Sequence, residues 1–180
     1  MKKVFKSGCL GIIGLVALIV IVGMFAGGEE SGNTVTDSEK RDEAASVANI
    51  GQTLQVGDVA FTVNGKSTAK NLGGEYGVNS QGTFLVLDVT VTNKGSEAIT
   101  VDSTFFKLTA GEKTYDSDGG AGVYANTDTE FFLQNLNPDL SANGKVVFDV
   151  TDEVISNPEL LLNVQTGLFG TETGQIKLAQ

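Results

Sequence analysis

Acidic side chains are the residues of this 180-residue chain best suited to chemistry. Asp116-Ser117-Asp118-Gly119 has the alternate carboxylate spacing that opens a calcium-binding loop. A hard cation takes six or more oxygens, and an EF-hand loop needs a further Asp or Asn at its fifth position and a Glu at its twelfth. Gly120 and Thr127 stand there, so the stretch is not an EF-hand. Asp128 and Glu130 are near enough to fold back. Asp116, Asp118 and Asp128 are therefore a candidate calcium set, against the plainer reading of a solvated acidic turn. The chain has no His and one Cys, Cys9. The commonest general base and zinc ligand is absent, and neither a Ser-His-Asp nor a Cys-His arrangement can be built. Two carboxylates could in principle act as acid and base, but among 22 acidic residues some pair always looks suitable. These residues point to no enzyme, no catalytic group and no cofactor.

Aromatic side chains are the second candidates. Tyr76, Tyr115 and Tyr124 fall in or beside loops. Rings at such places stack on sugars or anchor peptides, or else pack over the end of a domain with their hydroxyls in water.

The elements that must position these residues are strands. Residues 83–118 organise the chain. Leu85, Leu87, Val89 and Val91 alternate with Asp88, Thr90 and Thr92, the period of a half-buried strand. Asn93, Lys94, Gly95 and Ser96 supply turn chemistry, and Ile99, Val101, Phe105, Phe106 and Leu108 follow, which predicts a hairpin. Phe84 and Val86 fall on the polar face of the first strand; cover from Phe131 or Phe132 is expected, the alternative being an exposed patch for a partner. Short strands are expected at 53–56, 59–63, 113–115, 130–133, 145–150, 160–164 and 175–178. Asn64-Gly65 reads as a turn, residues 66–81 and 116–126 as glycine-rich loops, 135–144 as turns, and 152–158 as a connection with one helical turn. Eight or nine short strands and no long amphipathic helix predict an antiparallel β-sandwich.

Residues 9–26 (CLGIIGLVALIVIVGMFA) carry no charge, and Gly27 and Gly28 extend the run. About 20 apolar residues span a bilayer core. Lys2, Lys3 and Lys6 precede the run and Glu29 and Glu30 follow it, which predicts a cytoplasmic N-terminus and an exported remainder. The rival is a signal peptide cut after Ala26-Gly27-Gly28, although such apolar regions are shorter. Ser7-Gly8-Cys9 is not a lipobox, because Cys9 precedes the apolar run and Lys6 stands where Leu is usual. The expected organisation is a basic segment at 1–8, an anchor in the lipid bilayer at 9–28, a disordered linker at 29–49 and a sandwich domain at 50–180. As a flexible chain the linker spans on the order of 25 Å.

Net charge is −10; without the three leading lysines, nine basic residues face 22 acidic ones, or −13. So acidic a surface repels phosphate backbones, which argues against nucleic acid as a partner.

Residues 56–63 (VGDVAFTV), 82–118 (GTFLVLDVTVTNKGSEAITVDSTFFKLTAGEKTYDSD) and 136–150 (LNPDLSANGKVVFDV) resemble, in that order, segments of the telokin-like immunoglobulin-fold domain, a bacterial family of unknown function. The resemblance implies an immunoglobulin-like antiparallel β-sandwich behind a single N-terminal transmembrane helix. It implies a place at the cell surface of a Gram-positive bacterium, and it offers no catalytic residues. Members are often lipoproteins with a Cys after the apolar run, and this chain departs there. The functional expectation is a membrane-anchored extracytoplasmic binding module whose partner is a surface protein or a cell-wall ligand. The alternative is a structural or regulatory envelope protein working through its transmembrane segment.

Overall fold

The computed structural model describes residues 47–166 and 170–179. The expected anchor at 9–28 and most of the expected linker lie outside them. Among the described residues no helix is long and apolar enough to cross a membrane.

Two sheets pack face to face. One holds β2 (Thr53–Val56), β3 (Val59–Leu72), β4 (Val78–Asn93) and β9 (Ser141–Val150), in that order. The other holds five strands in the order β1 (Val47–Asn49), β11 (Glu172–Lys177), β10 (Leu160–Thr166), β6 (Phe106–Ala110) and β7 (Lys113–Asp116). A two-stranded piece, β5 (Ile99–Thr100) with β8 (Asn135–Leu136), closes one end. The eleven strands of the described residues exceed the eight or nine expected. β1 is the parallel exception, running alongside β11, and it starts three residues before the expected domain boundary at residue 50.

Alternation in sequence becomes the core in space. Leu85, Leu87, Val89 and Val91 of β4 meet Val146, Phe148 and Val150 of β9 and Phe106, Leu108, Leu160 and Leu162 of the facing sheet. Phe61 sits among them with its ring edge-on to Phe106 at 5.9 Å. Burying each such large side chain stabilises the fold by roughly 1.5–3 kcal/mol.

The central hairpin expected over 83–118 does not form. β4 pairs with β3 and β9, whereas β5 pairs with β8 and β6 with β10 and β7. The turn residues at 93–96 steer the chain from one sheet to the other. Asn93 is fully buried; its amide donates to the carbonyls of Glu97 (2.7 Å) and Leu136 (2.9 Å), and its Oδ1 accepts from Gly95 N (2.9 Å). A side chain that satisfies three backbone groups fixes a crossing that no ladder would hold.

Asn64-Gly65 is likewise no turn. It lies inside β3 at a register shift between Val63 and Gly65, a bulge that lets β3 continue. The expected loop at 66–81 is largely ladder: Lys66 to Ala69 pair with Leu87 to Phe84, and the ribbon turns only at a 3-10 turn, Gly74–Tyr76. Polar strands carry no apolar alternation here because neither face of residues 66–72 is fully buried. Residues 135–144 hold β8 and the first four residues of β9 rather than turns alone. Residues 130–133 form no strand. Phe131 leaves the expected alternation and plugs the core against Gly144, where an added Cβ would stand 2.1 Å from its ring.

The segment expected as a glycine-rich loop at 116–126 contains α1 (Gly119–Ala125). Asp118 caps it, accepting from Ala121 N at 2.9 Å. α1 covers the outer face of the four-stranded sheet, where Phe84, Val86, Val147 and Ala121 form a second small core. The cover over Phe84 and Val86 is thus this helix, not Phe131 or Phe132, both of which belong to the main core. The helix survives its glycines because tertiary packing outweighs intrinsic propensity. A short helix α2 (Asp152–Ile155) follows β9.

A candidate binding cleft on the flank of the sandwich

β7 ends the five-stranded sheet and meets β9, the last strand of the four-stranded one. Across the β6–β7 ladder Lys113 lies opposite Ala110 and Tyr115 opposite Leu108. Directly opposed residues share a face, so Lys113 and Tyr115 share the inward face of β6. The space beneath is a cleft of about 840 Å³, bounded by β7, the end of β9 and α2, and it reaches round the β9 edge to Gln81, Gly82 and Asp118.

The walls are built from identifiable contacts. Asp149 of β9 accepts from Gln81 N (2.7 Å) and Gly82 N (2.9 Å), fastening the start of the β4 ladder to the end of β9. Lys70 Nζ donates to Gly82 O (2.8 Å) and reaches Thr83 Oγ1 (2.5 Å), and Thr83 donates to Asp152 Oδ1 (2.5 Å), which ties α2 to the ribbon. Val154 packs on the core and sets Glu153 at the rim. Asp118 N donates to Val147 O (2.7 Å), so the crossing from β7 to α1 closes one end of the cleft. Three carboxylates (Asp118, Asp149, Glu153) and one ammonium (Lys113) line it. The one ion pair among the described residues is Lys107–Asp116 at 2.6 Å, so neither Lys113 nor Glu153 is neutralised.

Of the sequence candidates, Tyr115 and Asp118 come together here. Tyr115 is half-buried against the core, and its ring forms part of the cleft wall. Asp116 points to the other face and is held by Lys107. Asp128 lies beyond α1, whose seven residues make it roughly 10 Å long, so it does not join Asp118. Among the described residues no three acidic side chains converge as a cation site needs. Tyr124 rests on Gly73, where a Cβ would stand 2.8 Å from its ring. Tyr76 is 87% exposed at the tip of the ribbon. The three tyrosines therefore do not form one surface. Lys113, Asp149 and Glu153 escaped the sequence reading. Asp149 interrupts an apolar run and was a legible signal of a partner; Glu153 carried none.

A family model described as a domain of unknown function (DUF4352) matches residues 48–175. The chain belongs to that family. The match takes in both sheets and every wall of the cleft, so the cleft is part of the DUF4352 domain itself. No curated protein matches the sequence. Among solved structures, the DUF4352 domain is similar to the yjhA protein of Bacillus subtilis, with 16% identity, a TM-score of 0.54, and coverage of 73% of this chain and 98% of that one. It is also similar to MPT63, a secreted protein of Mycobacterium tuberculosis, with 14% identity, a TM-score of 0.52, and coverage of 75% and 98%. A third is ycdA of Bacillus subtilis, a candidate lipoprotein, with 18% identity and a TM-score of 0.50; the match covers 69% of this chain and 38% of that one. At such identities the likeness establishes the β-sandwich and nothing about ligands.

Proposed function

We propose that the chain is an exported binding module of a bacterial surface, held at the membrane by residues 9–28 and engaging another surface component through the flank cleft. The telokin-like immunoglobulin topology suggested by the sequence belongs to this reading. The observation that carries it is the cleft: a wide opening between two sheet edges, lined by four charged side chains that form no ion pair among the described residues. Sandwich proteins of similar fold described as secreted or as a candidate lipoprotein support an extracytoplasmic place. The reading assigns no catalytic step and no cofactor. Nucleic acid is not the partner, since the domain is acidic and would repel phosphates.

The test is site-specific photo-crosslinking in intact cells with the full-length protein. The crosslinker is placed in turn at Tyr115 in the cleft, at Tyr76 on the ribbon tip, at Lys177 on β11, and at Leu15 in the apolar segment. Capture from position 115 alone is the expected result. Capture from position 15 alone would make the apolar segment the working part and the sandwich a spacer, which overturns the cleft reading.

A further inference from the structure

Resting on that reading, we infer that the partner is an extended polypeptide segment that adds to the five-stranded sheet as a sixth strand beside β7, carrying basic side chains at alternate positions. β7 is the last strand of its sheet. β6 and β7 are joined by the two-residue turn Gly111-Glu112, with Ala110 directly opposite Lys113. In a hairpin of that loop length the flanking residues exchange both ladder hydrogen bonds, and bonded pairs alternate with unbonded ones along the strands. Lys113 and Tyr115 therefore bond to β6. Thr114 and Asp116 turn their N–H and C=O groups outward. Among the described residues nothing pairs with those outward groups.

Edge strands left open in this way template further strands. Natural sandwiches close them with a loop or a bulge, and the facing edge shows what closure looks like here. Along β9, Lys145 exchanges two hydrogen bonds with the Asn126 amide and Val147 O accepts from Asp118 N. β9 is sealed by its own chain and β7 is not. A strand laid beside β7 continues the row of Lys113 and Tyr115, so every second side chain of the incoming segment drops into the cleft. There the surroundings carry the carboxylates of Asp118, Asp149 and Glu153 against a single ammonium. A Lys or Arg at those positions is electrostatically complementary; an acidic side chain is repelled. Main-chain bonds supply affinity and the alternate basic residues supply selectivity.

The experiment uses the full-length protein in detergent micelles and a displayed library of random twelve-residue peptides. Enriched peptides are expected to show Lys or Arg at alternate positions between β-forming residues. Synthetic copies of the best peptide should lose at least tenfold in affinity against Thr114→Pro, which removes an outward N–H while leaving the bonds to β6, and against Glu153→Lys. They should lose as much when alternate backbone amides of the peptide are N-methylated. That arm needs no change in the protein and decides the matter even if Thr114→Pro folds poorly. Tyr76→Ser, remote from the cleft, should bind as the unaltered protein does. Enriched peptides that tolerate N-methylation and bind Glu153→Lys undiminished would overturn the proposal, as would a library yielding nothing above the Glu153→Lys background. If the crosslinker at position 115 captures a glycan or lipid in cells, the binding module stands and the polypeptide partner falls.

Discussion

Asn93 shows how much of this fold hangs on single polar residues. It is buried, and its three side-chain hydrogen bonds hold the crossing between sheets. Asn93→Ala should destabilise the domain by about 1–3 kcal/mol, because the buried carbonyl of Leu136 and the part-buried one of Glu97 lose their donor; urea unfolding followed by circular dichroism reads this directly. Gly144 offers the opposite kind of sensitivity. Its missing Cβ is the seat of the Phe131 ring, so Gly144→Ala should cost about 1–3 kcal/mol through overpacking. In the background of Phe131→Ala the same change should cost much less. An additive double-mutant cycle would show that the two do not share one space. The acidic residues are expected to ignore calcium: Asp116 is paired and Asp118 caps a helix. Millimolar calcium should leave Tm where it is, and a rise of several degrees would restore a site near Asp116.

At the scale of elements, α1 is the instructive case. Its seven residues include three glycines, so it is no independent helix. It persists because Asp118 caps it and because Ala121 seals Phe84, Val86 and Val147 from water. Asp118→Ala should cost about 0.5–2 kcal/mol. Hydrogen exchange should speed up at Ala121 and Gly122 while β4 stays protected. Equal acceleration throughout β4 and β9 would mean that the helix is integral to the sandwich rather than laid upon it. β3 and β4 teach a different lesson. Their pairing continues past the core as a ribbon whose outer half has no apolar alternation to announce it, and whose Asn64-Gly65 bulge imitates a turn.

For the whole molecule, the meeting of two sheet edges creates the candidate site. β7 and β9 are the last strands of their sheets and meet along one flank, and the cleft opens between them and α2. The sequence legibly contained both faces of β4, the inward face of β9, the short strand at 53–56 and the helical turn after residue 151. Each follows from neighbours one to four residues apart. It also set the acidic charge, the lack of a histidine and the apolar run at 9–28, with the expectations about partners and place that rest on them. Tertiary structure alone decided which strands pair, that residues 93–105 cross between sheets, that a glycine-rich loop becomes a capped helix, and that Lys113, Tyr115, Asp118, Asp149 and Glu153 share one cleft. The reason is range. Side-chain alternation is a property of a local backbone, whereas sheet membership depends on contacts tens of residues apart, whose competing pairings differ little in local preference and are settled only by the packing of the whole core.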